Sequence, residues 1–112
     1  MMQIKQMPDT ANVRVVSVGD VDVDTVEGFR QRLFDVVTQN TINVILDAAQ
    51  LNYVNSGGLA VLVELDTKLM RAGGRLKILK PTTTLRRLLK ETRLDKILLI
   101  ADEDEATAAP DT

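Results

Sequence analysis

Few side chains in this sequence could do chemistry, and the most conspicuous of them stand together. Between Tyr53 and Leu65 the chain reads YVNSGGLAVLVEL, so Asn55, Ser56, Gly57 and Gly58 separate a hydrophobic run from an apolar stretch with helical spacing. A serine hydroxyl becomes a nucleophile only beside a base. The chain has no histidine and no cysteine, which excludes Ser-His triads, thiol nucleophiles, Cys/His zinc sites and phosphohistidine relays. Read from residue types alone, Ser56 is a helix N-cap whose hydroxyl can take orphan amides of the first turn. Asn55 tolerates unusual backbone angles, and the two glycines let another chain approach the backbone closely.

A second group is acidic. Asp20, Asp22 and Asp24 alternate along GDVDVD, and Asp47 and Lys80-Pro81 follow. Clustered carboxylates, a strand-end aspartate and a late lysine resemble a magnesium-binding receiver domain. The spacing argues against it, because one helix separates the cluster from Asp47, one strand–helix unit too few. Alternating residues of an extended chain also point to opposite faces, so these aspartates read as turn and capping groups. No metal site and no cofactor are expected. The inventory suits a binding protein and not an enzyme.

The elements that must position these groups follow from periodicity. Gln3–Gln6 and Asn12–Val18 read as strands of an antiparallel hairpin turned at Pro8-Asp9, with Gly19 and Asp20 ending the second. Val26, Phe29, Leu33, Val36 and Val37 form one helical stripe, capped by Asp24 or Thr25. Ile42–Ala49 is a β-branched apolar run suited to a strand buried on both faces. The helix opened at Ser56 runs to Ala72 and stops at Gly73-Gly74. Arg75–Lys80 alternates as a strand with Leu76 and Ile78 inward. Pro81 and three threonines start a short helix carrying Leu85, Leu88 and Leu89. Lys96–Ala101 is a last strand, and DEDEATAA an acid-capped terminal helix. Helices alternating with buried strands predict one α/β domain over 1–112. Its core covers about 12–106 and residues 107–112 are a loose tail. The sheet has four to five mostly parallel strands, an antiparallel N-terminal hairpin and about four helices. A loop at a strand's carboxyl end, as at Asn55–Gly58, lies where such sheets usually place function.

Composition narrows the partners. With 112 residues and 45% hydrophobic content the chain can bury a core unaided. No apolar run approaches the ~20 residues that span a bilayer, and the N-terminus has no signal-type apolar core. A cytoplasmic protein without membrane insertion is expected, and the lack of cysteine agrees with a reducing compartment. The net charge of −2 is uneven: residues 1–67 carry −5, residues 68–96 carry +8 and residues 97–112 carry −5. The basic segment reads as a solvated face rather than a nucleic-acid surface. Phe29, Phe34 and Tyr53 are the only aromatics, too few for a base-stacking platform.

The stretch VILDAAQLNYVNSGGLAVLVEL resembles the STAS domain of anti-sigma-factor antagonists. In that family a buried strand ends in Asp, and an Asp-Ser-(Ser/Thr)-Gly-Leu motif opens a helix. Asp47 matches the strand-end Asp, Ser56 the phosphorylatable serine, and Gly58-Leu59 the Gly-Leu pair. Gly19–Asp22 looks like the family's Gly-Glu-Leu-Asp, which would set Asp22 near the phosphorylation site. The likeness runs from about Val13 to Ala106. Asn55 stands where the family has Asp, and Gly57 where it has Ser or Thr. The resemblance implies a non-enzymatic binding switch in which Asp22, Asn55, Ser56, Gly57, Gly58 and Leu59 meet a cytoplasmic anti-sigma factor. That partner would itself be a serine kinase of the GHKL type. Docking would free the sigma factor, phosphorylation of Ser56 would end docking, and a phosphatase would reset the chain. The alternative is a STAS adaptor that is never phosphorylated, a scaffold in a sensory or lipid-transport complex.

Overall fold

The computed structural model describes residues 2–6, 12–37 and 41–102, with side chains described from residue 12 onward. Five strands form one sheet in the order β1-β2-β3-β4-β5. They are β1 (Met2–Gln6), β2 (Asn12–Val21), β3 (Asn43–Val54), β4 (Leu76–Leu79) and β5 (Leu99–Ala101). Strands β2 to β5 are mutually parallel, and β1 runs antiparallel to β2. The turn expected at Pro8-Asp9 and the terminal helix expected in DEDEATAA lie outside the described residues.

Three helices join the parallel strands: α1 (Val26–Asp35), α2 (Ser56–Arg71) and α3 (Thr83–Glu91), the last followed by a 3-10 turn at Leu94–Lys96. Each connects sheet neighbours taken in order. Right-handed crossovers then put all three helices on the same face. The core lies there. Val13, Val15, Val44, Leu46, Leu76 and Ile78 from the sheet meet Phe29, Leu33, Leu62, Leu65, Leu85 and Leu89 from the helices. Ile45 and Leu79, on alternate positions of their strands, are buried too, so burial on both faces holds for the middle of β3.

The carboxyl ends of β2 and β3 differ from expectation, for one reason. β3 continues past Ala49 to Val54, and β2 continues past Gly19 to Val21. The register advances by two residues on β2 and three on β3 between the pairs Val16–Asp47 and Val18–Gln50. It slips again between Gly19–Leu51 and Asp20–Tyr53. Each slip inserts an extra residue in β3, a β-bulge. Buried positions there fall at Ala48, Leu51 and Val54, a three-residue spacing that hides a strand from a two-residue search. Asp47 serves the first bulge: its carboxylate accepts from the Ala49 amide at 3.1 Å and pairs with Arg14 at 3.2 Å. It ends the pairing with β4, not the strand itself.

The far end of α2 is held by a buried carboxylate. Asp66, 1% exposed, accepts from Arg75 Nε at 3.0 Å, Arg75 Nη2 at 3.1 Å and the Leu76 amide at 2.9 Å. The hydrogen bond to Asp66 and its charge raise the Arg75 pKa above the usual guanidinium value. Arg75 Nη2 also donates to the Ile97 carbonyl at 2.8 Å, so one ion pair ties α2 to the entries of β4 and β5. Gly73, at φ +89°, closes α2 with its amide on Met70 and the Gly74 amide on Leu69, a Schellman stop. A Cβ on Gly74 would lie 1.7 Å from the Ile42 carbonyl oxygen. The last strand is shorter than expected: residues 94–96 form the 3-10 turn, entered through Arg93 at φ 63°.

Candidate functional site

At the carboxyl edge of the sheet β2 and β3 end side by side, Val21 opposite Val54. The Asn55 amide donates to the Val21 carbonyl at 2.8 Å, which locks the β3–α2 junction to the β2–α1 loop. Asp22 directly follows that carbonyl residue, beside the Asn55 junction. Its side chain serves its own loop. Oδ1 accepts from the amides of Asp24 at 2.9 Å and Thr25 at 3.2 Å, and from the Thr25 hydroxyl at 3.2 Å. The Asp22 amide in turn donates to Thr25 Oγ1. Of the two expected caps Thr25 is the N-cap of α1, through its carbonyl, which accepts from the Phe29 amide at 3.0 Å, and with no side-chain bond to its helix.

The cap of α2 is also displaced by one residue. Asn55, extended at φ −77° and ψ 177°, is the N-cap, and its Oδ1 accepts from the Gly58 amide at 2.8 Å. Its carbonyl takes the Leu59 amide at 3.0 Å. An amide oxygen does this as well as a carboxylate would. Ser56 is thus the first helical residue and not the cap. It is exposed, and its hydroxyl has no hydrogen-bond partner among the described residues. No acidic side chain occupies the first turn of α2, whereas Lys68 and Arg71 sit in the last. The positive end of the helix dipole is left uncompensated beside a free hydroxyl.

The two glycines differ in purpose. A Cβ on Gly58 would lie 2.6 Å from Val54 Cγ1 and 2.8 Å from Val21 Cγ1. Gly58 is buried, and its lack of a side chain lets α2 start directly over the strand ends. Gly57 is exposed. A Cβ there would approach Val26 Cγ2 at 3.3 Å, a contact for which the valine would have to give way slightly. Leu59, expected among contact residues, is 7% exposed and belongs to the core. Of the residues expected to meet a partner, Ser56 and Gly57 are exposed and Asn55 is half-buried, whereas Gly58 and Leu59 are buried.

An open groove of about 460 Å³ adjoins Ser56, with Leu59, Ala60 and Val63 of α2 on one wall and Thr92 and Leu94 on the other. Sequence reading missed it, because its walls come from residues about thirty positions apart. Among the described residues no three potential metal ligands cluster, and no helix is long and apolar enough to cross a membrane.

Known proteins share this architecture. SpoIIAA, an anti-sigma factor antagonist solved in its unphosphorylated form, superposes with a TM-score of 0.78 at 23% identity, covering 95% of this chain and 92% of its own. An anti-sigma factor antagonist from Mycobacterium paratuberculosis gives a TM-score of 0.82 at 20% identity, covering 95% and 88%. The phosphorylated form of SpoIIAA from Bacillus gives 0.70 at 23%, covering 95% and 96%. At these identities the likeness is one of fold. The sequence match to the STAS domain spans residues 2–106, and by that match the chain belongs to the STAS domain family.

Proposed function

We propose that the chain is a regulatory STAS domain acting as an anti-sigma factor antagonist, switched by phosphorylation of Ser56. The observation that carries this reading is the Ser56 hydroxyl, exposed at the first position of α2 and relieved of capping by Asn55. A hydroxyl tied into the cap would have to leave its amides to be modified; this one is free. In the unmodified state Asn55, Ser56 and Gly57 dock on a cytoplasmic anti-sigma factor, and the sigma factor is released. The partner is a serine kinase of the GHKL type that brings its own ATP and magnesium and transfers the γ-phosphoryl group to Ser56 Oγ. This chain supplies a substrate hydroxyl and no catalytic group, and a phosphatase resets it.

The charge arithmetic gives the switch its sign. Phosphorylation adds about −1.5 to −2 charges and three acceptor oxygens. At the amino end of α2, where no acidic side chain competes, that charge is favourable to the domain itself. The fold survives modification. A partner surface shaped for a neutral hydroxyl meets repulsion and desolvation instead, and a loss of ~3 kcal/mol weakens binding more than a hundredfold. That SpoIIAA is known in both unphosphorylated and phosphorylated forms supports carrying the switch to this chain.

Asn55 and Gly57 favour a second reading, a STAS adaptor never phosphorylated, because a kinase that reads the family's carboxylate next to the serine finds an amide here. Incubation with the anti-sigma kinase and ATP, followed by intact mass, separates the two. Gain of one phosphoryl group, lost in Ser56→Ala with partner binding retained, is the expected result. An unlabelled wild type that still binds the partner establishes the adaptor, and phosphate on another residue refutes the site. Ser56→Asp should weaken partner binding without unfolding the domain.

A further inference from the structure

We infer that the groove beside Ser56 seats an apolar helix of the partner whose borders are acidic, an inference that builds on the antagonist reading and describes its partner. Ser56, Ala60, Val63, Thr67 and Met70 recur at four- and three-residue intervals, so they lie along one face of α2 for roughly 21 Å. This face has no covering element among the described residues. Ala60 is exposed, Val63 and Thr67 are half-buried, and Met70 is 46% exposed. Thr92 and Leu94 supply the opposite wall of a mostly apolar trough. The trough starts at the residue whose charge is proposed to decide docking and is lined along α2 as far as Glu64.

Charge selects the occupant. Glu64, on the groove wall, is already neutralised by Arg30. Lys68 is turned to the α1 side, over the Phe34 ring. Arg71 at the end of α2, and Lys90, Arg93 and Lys96, within two residues of Thr92 or Leu94 in sequence, are exposed and form no ion pair among the described residues. Against Arg71, Lys90, Arg93 and Lys96 stand Glu91 and Asp95. A second copy of the chain would bring the same excess of positive charge to the contact and be repelled. A helix with an apolar stripe edged by Asp and Glu matches both the trough and its rim.

The full chain, isotope-labelled, tests this with two synthetic helical peptides of about four turns that share one leucine stripe and carry either glutamate or lysine on both flanks. The glutamate peptide should shift the amides of Ala60, Val63, Thr67, Thr92 and Leu94 and bind at least about tenfold tighter than the lysine peptide at low ionic strength. Ala60→Arg fills the trough from an exposed position and should weaken that binding about tenfold or more with an unchanged melting temperature. Absent binding, equal affinity for both peptides, shifts confined to another face, or indifference to Ala60→Arg would each overturn the proposal. So would a dimer in sedimentation that Ala60→Arg dissolves, which makes a second copy the occupant. Because neither peptide requires Ser56 to be modified, a failed kinase assay leaves this result intact, and a failed peptide assay leaves the switch intact.

Discussion

Replacing Asn55 or Ser56 with alanine separates the cap of α2 from its free hydroxyl. Asn55→Ala removes the acceptor of the Gly58 amide, now bonded at 2.8 Å. The Leu59 amide is unaffected, because it bonds the Asn55 carbonyl. One amide therefore loses its partner, and Gly58 is buried, so water replaces the lost oxygen poorly. Removal of an N-cap typically costs ~1 kcal/mol and up to ~2; the burial places this case at about 1.5 kcal/mol. For a domain of this size that lowers the melting temperature by roughly 7 °C. Ser56→Ala, one residue on, removes a hydroxyl with no partner among the described residues and should change stability by less than about 0.5 kcal/mol. Asn55→Asp keeps the acceptor, adds charge at an uncompensated helix end and should gain about 0.3–1 kcal/mol. Far-UV circular dichroism melts of the four proteins at one ionic strength measure all three differences. Equal losses for Asn55→Ala and Ser56→Ala would show that the serine shares the cap, and the account of a free hydroxyl would fail.

Substitutions at two further positions probe the supports of α2. Gly58→Ala drives a methyl group against the stiff side chains of Val54 and Val21 and should cost about 1–3 kcal/mol in urea unfolding; a neutral result would mean that α2 can lift off the strand ends. Asp66→Ala strips acceptors from the Leu76 amide and the Arg75 guanidinium together and should cost about 3 kcal/mol, the low end for breaking a buried pair because Arg75 reaches solvent. Asp66→Asn, which keeps an acceptor for Leu76, should lose less than half as much, and equal losses would deny the amide contact its part.

The order of strands and helices was legible because apolar spacing is local: the stripe of α1 and the alternation of β4 appear in any short window. The glycine stop of α2 and the threonine start of α3 were legible for the same reason. The bulges in β3 were not. They move buried residues from two- to three-residue spacing, and the partner strand that imposes this lies about thirty residues earlier. Asp66 reads as one polar residue in an apolar helix until Arg75 and the Leu76 amide close on it.

At the site itself the sequence singled out Ser56 and its neighbours, because a small hydroxyl and two glycines between strand and helix are unusual in any chain. Which residue caps and which is left free was decided only in three dimensions. Asn55 and Ser56 are both good caps by type. The hydrogen bond from the Asn55 amide to Val21 holds Asn55 extended just before the first turn, so its side chain reaches the Gly58 amide and the serine, one position on, turns outward. A long-range backbone contact, invisible to local propensity, is what leaves that hydroxyl exposed.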